Sequence, residues 1–534
     1  MSEEQDTPGS AGSSGLSRRG LLKAGMAAGA VAGVGGWRSA PGPAAAGSAG
    51  NYRWPAKLRK PGSLPHPHLP MGTDTIPQIE HIVVAMMENH SYDNRLGMLH
   101  RRGADGFTLG RNGLPVATNP YANGDLQHAF RMPTTCQISG GPSQEWRASH
   151  IQFANGRNDG FVISPSGPVS MGYWDRGDQP FYYSVAEIFP IADRYFCSVL
   201  GQTYPNRRYL MSATSLGMVD DILVNDYPPN GTIFDKLNAA HITWRDYYTT
   251  LPTTLLYPQL YTKYHGTRII PMTQFFTDAA AGKLPGFCMV EPNYSNQSEE
   301  DPQNIIAGEA FVAQVTTAVM TSPKWAKTLL IWVYDEHGGY YDHVPPPPAI
   351  PPDNIPPAVL PGESTYNGFA QYGFRVPCAF ISPWARPNYV SHQVFDHSSI
   401  CSLVESKWNL PAMTYRDANA KPMLDMLDLS SPAFLTPPAL AQPLLAVDPG
   451  AQACSTTGPG SIPPPGSVTP PPHYRPTPPL TADVGGTAVG AHPAGQAQQG
   501  SVAAHRSQHP DAEPCAARRV ANRDHPFRGA GQAP

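Results

Sequence analysis

Two pairs of oxygen-bearing side chains could bind a metal ion. Glu88 and Asn89 follow one apolar segment of the chain, and Asp335 and Glu336 follow another. Carboxylate and amide oxygens are hard ligands, which suit Ca²⁺, Mg²⁺ or Mn²⁺. Acidic residues also cap the helix that often follows a strand, so the spacing alone leaves both interpretations open.

The segments before these pairs have the pattern of buried strands. Short, continuous apolar runs suit strands that helices cover on both faces, and helical patterns fall between the runs. Strands that alternate with helices predict an α/β fold with a mostly parallel sheet. The predicted strands are 82–87, 242–247, 287–290, 329–334 and 376–381, and helical patterns include 232–240 and 306–320.

The predicted fold would bring the two pairs together. In an open parallel sheet, ligands bind beyond the carboxyl ends of the strands. Glu88-Asn89, Glu291 and Asp335-Glu336 each follow a predicted strand. These polar residues, distant in sequence, are therefore expected to meet at one edge of the sheet.

Composition excludes several other kinds of function. The formal net charge is -4 and charged residues make up 15% of the chain, so there is no basic field to attract nucleic acid. The seven cysteines lie far apart without Cys-x-x-Cys spacing, which argues against a zinc-thiolate site. Cys288 and Cys378 stand in apolar runs and are expected to be buried thiols.

The two ends of the chain differ from its middle. Arg18-Arg19, a small apolar run and Ala44-Ala45-Ala46 predict a twin-arginine export signal over residues 1–46. A short membrane anchor is the alternative, but the run is too short to span a bilayer comfortably. The expected product is secreted or associated with the cell wall. We expect a Pro-rich lead-in at 47–76, a catalytic domain at 77–435 and a disordered Pro/Gly/Ala-rich tail at 436–534.

Five segments of the chain carry recognisable motifs. They are 79–93 (with Glu-Asn), 155–161 (Asn-Gly-Arg-Asn-Asp-Gly-Phe), 193–207 (ending in Thr-Tyr-Pro-Asn-Arg), 334–345 (with Asp-Glu-His-Gly-Gly) and 395–399 (Phe-Asp-His-Ser-Ser). In this order, over about residues 77 to 410, they resemble a phosphoesterase superfamily that contains bacterial phospholipases C, plant non-specific phospholipases C and a bacterial acid phosphatase. The resemblance implies an α/β/α sandwich with an alkaline-phosphatase-like core.

The resemblance also implies roles for individual residues. Glu88 and Asn89 match a pair that binds metal and phosphate oxygens, and Asp335 and Glu336 match a second pair of metal ligands. Thr203 matches the nucleophile, although a threonine before a proline can also be an ordinary turn residue. A divalent cation, expected to be Ca²⁺, would lower the pKa of the threonine hydroxyl and align it with phosphorus.

Three further residues are candidates for the phosphate pocket. His343 and His397 stand in matching Asp-His segments and could stabilise charge or protonate the leaving alkoxide. An isolated histidine is more often structural. Arg207 could contact phosphate, or it could form a buried ion pair.

The chain departs from the family pattern at two positions. Gln144 and Asp301 stand where a histidine is usual in the family. Both changes remove positive charge from the pocket, which disfavours a dianionic monoester more than a monoanionic diester. Asp301 could instead meet a cationic head group such as choline. Trp146, Tyr173 and Trp174 could add aromatic faces for that cation, although aromatic residues are more often core.

Three functions remain under consideration. The first is a phospholipase C that contacts a lipid surface and cleaves phosphatidylcholine-like lipids through a phospho-threonine intermediate. The second is a secreted acid phosphatase that acts on soluble phosphomonoesters with the same nucleophile and metal. The third is a surface binding protein without catalysis, which is disfavoured because Thr203 and both ligand pairs are present.

Overall fold

A computed structural model describes residues 57–136 and 141–444 of the chain. The predicted export signal lies outside these residues, as do residues 47–56 of the lead-in and residues 445–534 of the predicted tail. None of the helices in this part of the chain is long and apolar enough to cross a bilayer.

The described residues form one large sheet and two small two-stranded sheets. The strands are β1 (His81–Met87), β2 (Thr118–Pro120), β3 (Leu126–His128), β4 (Phe130–Arg131), β5 (Gly172–Tyr173), β6 (Ile191–Ala192), β7 (Trp244–Tyr248), β8 (Ile269–Pro271), β9 (Phe287–Val290), β10 (Thr328–Tyr334), β11 (Cys378–Ile381) and β12 (Val390–Ser391).

The large sheet has eight strands in the order β12-β6-β11-β10-β1-β9-β7-β8. β1 is parallel to both of its neighbours, β9 and β10, and β7 is parallel to β8 and β9. β11 is antiparallel to both β10 and β6. The prediction of an α/β fold with a mostly parallel sheet is confirmed, and so are the five predicted strands. The short strands β6, β8 and β12 were not predicted.

Helices cover the sheet on both faces, since every residue of β1 and of β10 is buried. This is the α/β/α arrangement that the family resemblance implied. The helices are α1 (Tyr92–Leu96), α2 (Trp146–Phe153), α3 (Pro180–Ile188), α4 (Thr203–Ser212), α5 (Ile233–Ala239), α6 (Pro258–Tyr264), α7 (Met272–Ala280), α8 (Ile305–Met320), α9 (His397–Trp408) and α10 (Tyr415–Asn419).

Two groups of helices hold the edge of the sheet where β1 and β10 end. α8 packs against both strands and contacts α3 and α7. Its first turn is capped by the Asn304 side chain, which accepts a hydrogen bond from the Ile306 amide. In the second group α4 packs against α9 and α5. The first residues of these two helices lie at the same edge of the sheet, since Thr203 of α4 bonds to Asn89 and His397 of α9 contacts the Asp335 carbonyl oxygen.

The packed chain continues beyond residue 435. Leu440 packs against the main hydrophobic core, and the Ala441 amide donates a hydrogen bond to Ser184 Oγ at 3.0 Å. Cys288 in β9 and Cys378 in β11 are free and buried, as the sequence predicted.

Candidate active site

The two acidic pairs meet at the carboxyl ends of β1 and β10. Met87 and Tyr334, the last residues of these adjacent parallel strands, are partners in the sheet register. Glu88 and Asp335 therefore leave the sheet side by side. The Asn89 amide donates a hydrogen bond to Asp335 Oδ1 at 3.1 Å, which joins the two loops directly.

A close backbone approach fixes the shape of this edge. Asn89 has φ 65°, in the left-handed region that asparagine tolerates better than most residues. Gly338 has φ 67°, and a Cβ atom built on it would lie 1.8 Å from the Asn89 carbonyl oxygen. Only glycine fits there, so the loop after Asp335-Glu336 can fold tightly against Asn89.

Thr203 is the first residue of α4, and this end of the helix lies at the same edge of the sheet. Its Oγ1 donates a hydrogen bond to Asn89 Oδ1 at 3.1 Å, and the residue is 2% exposed. The Tyr204 amide donates to Asp221 Oδ1 at 2.6 Å, and the Asp221 amide donates to Gln202 Oε1 at 2.9 Å. Asp221 therefore caps the start of the helix and keeps Thr203 at its first position.

Arg207, one helical turn after Thr203, lies in a buried network of ion pairs. Its Nε donates to Asp335 Oδ2 at 2.8 Å, and its Nη1 donates to Glu291 Oε2 at 3.2 Å. Its Nη2 lies 3.6 Å from Glu88 Oε1. These contacts match the buried ion-pair alternative, and they tie α4 to the ends of three strands.

Glu336 is the residue whose surroundings point most clearly to a cation. The residue is 0% exposed, and its Oε2 accepts a hydrogen bond from the Gly338 amide at 2.7 Å. Its buried Oε1 accepts none. Burial, and then the charge of Asp335, raise the pKa of Glu336 well above its usual value. A bound cation would contact the unpaired oxygen and keep the carboxylate ionised.

The charge balance agrees with a metal site. Glu88, Asp335 and Glu336 bring three carboxylates to this edge, and Arg207 is the cation that contacts two of them. Burial lowers the pKa of His337 to about 3, so that histidine is neutral and adds no positive charge near pH 7. The oxygen donors and the excess negative charge therefore fit a hard divalent cation.

His397 contacts this edge from the first position of α9. Its Nε2 lies 2.6 Å from the Asp335 carbonyl oxygen. Because a carbonyl oxygen can only accept a hydrogen bond, Nε2 must carry a proton. Its Nδ1 lies 3.1 Å from the hydroxyl of Tyr195. Burial lowers its pKa, so the ring is neutral with its proton on Nε2. The predicted role in charge stabilisation or proton transfer stays a prediction.

His343 lies in a different cluster. Its Nδ1 lies 2.7 Å from Asp93 Oδ2 and its Nε2 lies 3.2 Å from Asp105 Oδ1. Burial opposes its protonation, but the charge and hydrogen bond of Asp93 outweigh burial and raise the pKa of His343 to about 9. The ring is therefore an imidazolium held between two carboxylates. The structure does not bring it together with Thr203.

Asp93, Asp342 and His343 form a second possible metal site. One ligand atom from each lies within 4.8 Å of the others, an arrangement that suggests that the chain can hold a metal. Arg375 already pairs with both acids, at 3.0 Å from Asp93 Oδ1 and 2.8 Å from Asp342 Oδ1. The sequence analysis missed the roles of Asp93, Asp342 and Arg375. The Asp-His pair inside a matching segment was the available signal.

Gln144 and Asp301, the two departures from the family pattern, border the loop that follows Asp335-Glu336. A Cβ atom on Gly339 would lie 2.6 Å from the backbone of Ser143, so the segment before Gln144 packs directly on the loop. Asp301 Oδ1 accepts a hydrogen bond from the Tyr340 hydroxyl at 3.0 Å. Both residues thus lie beside the predicted pocket.

The three aromatic residues proposed as faces for a cation are core residues. Trp146, Tyr173 and Trp174 are all buried. The indole nitrogens of the two tryptophans donate to backbone carbonyl oxygens, that of Trp146 to Ser364 and that of Trp174 to Thr134. The core alternative describes them correctly.

Comparison with known proteins identifies a family. The model of the phosphoesterase family matches residues 79–411. Non-specific phospholipase C1 of Arabidopsis thaliana is 31% identical over 64% of this chain and 69% of its own length. Phospholipase C B of Mycobacterium tuberculosis is 30% identical over 70% of this chain and 82% of its own length.

Solved structures give a weaker likeness. A member of the alkaline phosphatase superfamily from Vibrio parahaemolyticus is 12% identical, with a TM-score of 0.29, over 60% of this chain and 77% of that protein. At that score the likeness carries no argument of its own. The assignment of fold class rests on the sheet topology described above.

Proposed function

Because this chain belongs to the phosphoesterase family and is a phosphoric ester hydrolase, we propose that it acts as a phospholipase C on phosphatidylcholine-like lipids. The observation that carries the proposal is the contact between Thr203 Oγ1 and Asn89 Oδ1, 3.1 Å apart, beside three buried carboxylates. A hydroxyl in that position is oriented and has lost its solvent, which suits a nucleophile.

The chain's own residues account for most of the first chemical step. Asn89 orients the Thr203 hydroxyl by accepting a hydrogen bond from it at Oδ1. The hydroxyl proton passes to solvent as Thr203 Oγ1 attacks phosphorus, and the bond between phosphorus and the glycerol oxygen breaks. Thr203 is the first residue of α4, so the positive end of the helix dipole lies at the nucleophile and favours negative charge on the phosphoryl group. The leaving alkoxide takes a proton and departs as diacylglycerol.

A second displacement completes the cycle. Water attacks the phospho-threonine, the bond between phosphorus and Thr203 Oγ1 breaks, and the phosphorylated head group leaves. Glu88, Asn89, Asp335 and Glu336 would hold a divalent cation, which we propose to be Ca²⁺. Such a cation stabilises charge on the phosphoryl oxygens and lowers the pKa of the threonine hydroxyl.

The departures at Gln144 and Asp301 favour a diester over a monoester. Neither residue supplies the positive charge that a histidine could give, and a dianionic monoester needs that charge more than a monoanionic diester does. Burial also raises the pKa of Asp301 well above its usual value. A secreted acid phosphatase with the same nucleophile is the second candidate.

The test compares hydrolysis of phosphatidylcholine and of a chromogenic phosphate monoester, with added Ca²⁺, by the wild type, Thr203→Ala and Thr203→Ser. We expect lipid hydrolysis to fall by about 10³-fold or more in Thr203→Ala and to survive in part in Thr203→Ser. Thr277→Ala is the control, since that threonine is exposed on α7 and bonds only within its helix.

The outcomes separate the candidates. A wild-type preference for the monoester would move the assignment to a phosphatase. Full lipid hydrolysis by Thr203→Ala would reject Thr203 as the nucleophile. Absence of hydrolysis of either substrate would favour the surface binding protein.

We also propose that the protein is exported and then secreted or bound to the cell wall. The support is the sequence of residues 1–46, in which a small apolar run follows Arg18-Arg19. Replacing both arginines by lysine should retain the protein in the cytoplasm of a host with a twin-arginine system. Unchanged export of that variant would reject the proposed route.

A further inference from the structure

A buried glutamine contacts the loop that carries two of the predicted metal ligands. Gln152 lies on α2 and is 0% exposed. Its Oε1 lies 2.7 Å from Nε2 of His337, the residue that follows Glu336. The other ring nitrogen of His337, Nδ1, lies 3.4 Å from Glu336 Oε2. A single side chain therefore separates Gln152 from a predicted ligand.

Hydrogen bonds fix the orientation of the Gln152 amide. Its Nε2 donates to the Ser143 carbonyl oxygen at 2.8 Å and to Ser166 Oγ at 2.9 Å. A carbonyl oxygen can only accept a hydrogen bond, so the amide nitrogen must face Ser143. The amide oxygen of Gln152 must then face His337.

The orientation of this amide selects one tautomer of His337. Because Gln152 Oε1 can only accept, Nε2 of the ring must carry a proton. A neutral imidazole has a single N–H group, so its Nδ1 presents a lone pair. Consistent with that tautomer, Nδ1 is buried and makes no hydrogen bond to any residue that the structure describes.

The other tautomer of His337 would oppose a cation at Glu336. With its proton on Nδ1, the ring would donate to the Glu336 carboxylate and compete with a metal ion for the same oxygens. In the tautomer that Gln152 selects, Glu336 accepts a hydrogen bond from the Gly338 amide at Oε2 and none at Oε1. The carboxylate is thus left open on one side.

We propose that Gln152 is a positioning residue, which keeps the His337 proton away from Glu336 and so leaves this carboxylate to the divalent cation. The inference rests on the proposed function and deepens it, because it assigns a role in cation binding to a residue that touches neither substrate nor cation. Replacing a residue that orients the groups around a metal typically weakens metal binding by about 10–100-fold.

The test is a double-mutant cycle in Ca²⁺ affinity, measured by calorimetric titration of the chelator-treated, full-length protein. In the wild-type background, Gln152→Met should weaken Ca²⁺ binding by about tenfold, because the His337 proton can then move to Nδ1. In the His337→Phe background, the same change should weaken binding by less than about twofold, because no ring proton remains. Gln179→Met is the matched control, since Gln179 is also 0% exposed but its amide donates to the Arg95 carbonyl oxygen.

The outcomes separate this inference from the proposed function. Equal losses of Ca²⁺ affinity in both backgrounds would show that Gln152 acts only through the serines that it contacts, and would overturn the inference while leaving the proposed function intact. A wild type that binds no Ca²⁺ would instead reject the proposed Ca²⁺ site, on which the proposed mechanism also depends.

A second measurement applies if Gln152→Met fails to fold, as judged by circular dichroism. NMR of the histidine ring nitrogens in the wild type then identifies the tautomer, with the His337 signals assigned by their loss in His337→Phe. A proton on Nε2 would support the inference. A proton on Nδ1 would overturn it.

Discussion

Two acidic clusters follow the carboxyl ends of β1 and β10, and they differ in how their charge is balanced. Asp93 and Asp342 are each paired with Arg375, and His343 adds a second cation. The Glu336 cluster consists of Glu88, Asn89, Asp335 and Glu336. Its buried Glu336 Oε1 accepts no hydrogen bond, and the hydroxyl of Thr203 contacts Asn89. The same residue types thus give a closed salt-bridge network in one place and a carboxylate oxygen without a hydrogen bond in the other.

The comparison teaches that acidic residues alone do not identify a metal site. The ligand atoms of Asp93, Asp342 and His343 are close enough to hold an ion, yet each group already has a partner of opposite charge. We therefore expect the Asp93 cluster, which consists of Asp93, Asp342, His343 and Arg375, to contribute mainly to the stability of the fold. The Glu336 cluster should contribute mainly activity and cation binding.

The largest expected effect is at Glu336. Glu336→Gln should lower kcat/KM by about 10³-fold, because it removes a charge that holds the cation. It should change the free energy of unfolding, measured in urea without metal, by less than about 1 kcal/mol, because burial favours the neutral form of Glu336, which glutamine resembles in size and shape. Glu309→Gln is a matched control, because burial raises the pKa of Glu309 to about 8 and its Oε1 accepts a hydrogen bond from the Tyr182 amide rather than from a loop that carries predicted ligands.

Cation binding can be measured independently of turnover. Added Ca²⁺ should raise the Tm of the chelator-treated wild type, because a ligand that binds only the folded state stabilises it. This rise should vanish in Glu336→Gln and persist in Asp342→Asn. If the rise in Tm instead persisted in Glu336→Gln and vanished in Asp342→Asn, the Asp93 cluster would be the metal site, and the proposed difference between the two clusters would be wrong.

The next effect is at Arg375, on stability rather than activity. Arg375→Met should lower the free energy of unfolding by about 3–5 kcal/mol, because Asp93 and Asp342 would stay buried without their partner. Arg131→Met is the control: Arg131 pairs with Asp178 but its side chain is 48% exposed, so we expect a loss below about 1 kcal/mol. If urea denaturation showed the same loss of unfolding free energy in Arg375→Met and in Arg131→Met, Arg375 would not belong to a buried network.

A smaller effect concerns pH and His343. The pKa of His343 is raised to about 9 in the folded protein, above the ordinary histidine value of about 6.5. Its contribution to stability is therefore fully present below about pH 6.5 and is lost as pH rises to about 9. The loss of stability over this pH range, on the order of 3 kcal/mol, should be absent in His343→Gln. Identical pH dependence of unfolding in both proteins would contradict the imidazolium assignment.

The smallest effect concerns the tail. Truncation after residue 444 should change neither turnover nor the free energy of unfolding. Truncation after residue 435 should lower the free energy of unfolding by about 1 kcal/mol, because it removes the packing of Leu440 and the hydrogen bond from Ala441 to Ser184. Inactivity of a folded protein cut after residue 444 would show that the tail belongs to one of the two clusters.

The sequence predicted the centre of the sheet better than its margins. β1 and β10 are continuous apolar runs, so their positions follow from burial on both faces. β6 and β12 have two residues each, too few to give a pattern. The antiparallel direction of β11 could not be predicted, because an apolar run carries no information about direction.

The candidate site shows the same division. The meeting of Glu88-Asn89 with Asp335-Glu336 follows from a general rule about the edges of parallel sheets. The partners of Arg207 do not follow from any rule, since a guanidinium binds phosphate and carboxylate equally well. Likewise, the surroundings of His343 depend on Arg375, which is far away in the sequence and has no local signal.

The register of β1 has a consequence for how the protein is made. His81 pairs with Thr328, so the edge that carries Glu88 and Asp335 forms only after synthesis has passed residue 335, well over half of the described chain. Pairings between such distant residues are slow to form, because a long loop must close first. Nascent chains that end before Glu336 therefore lack the complete set of predicted metal ligands.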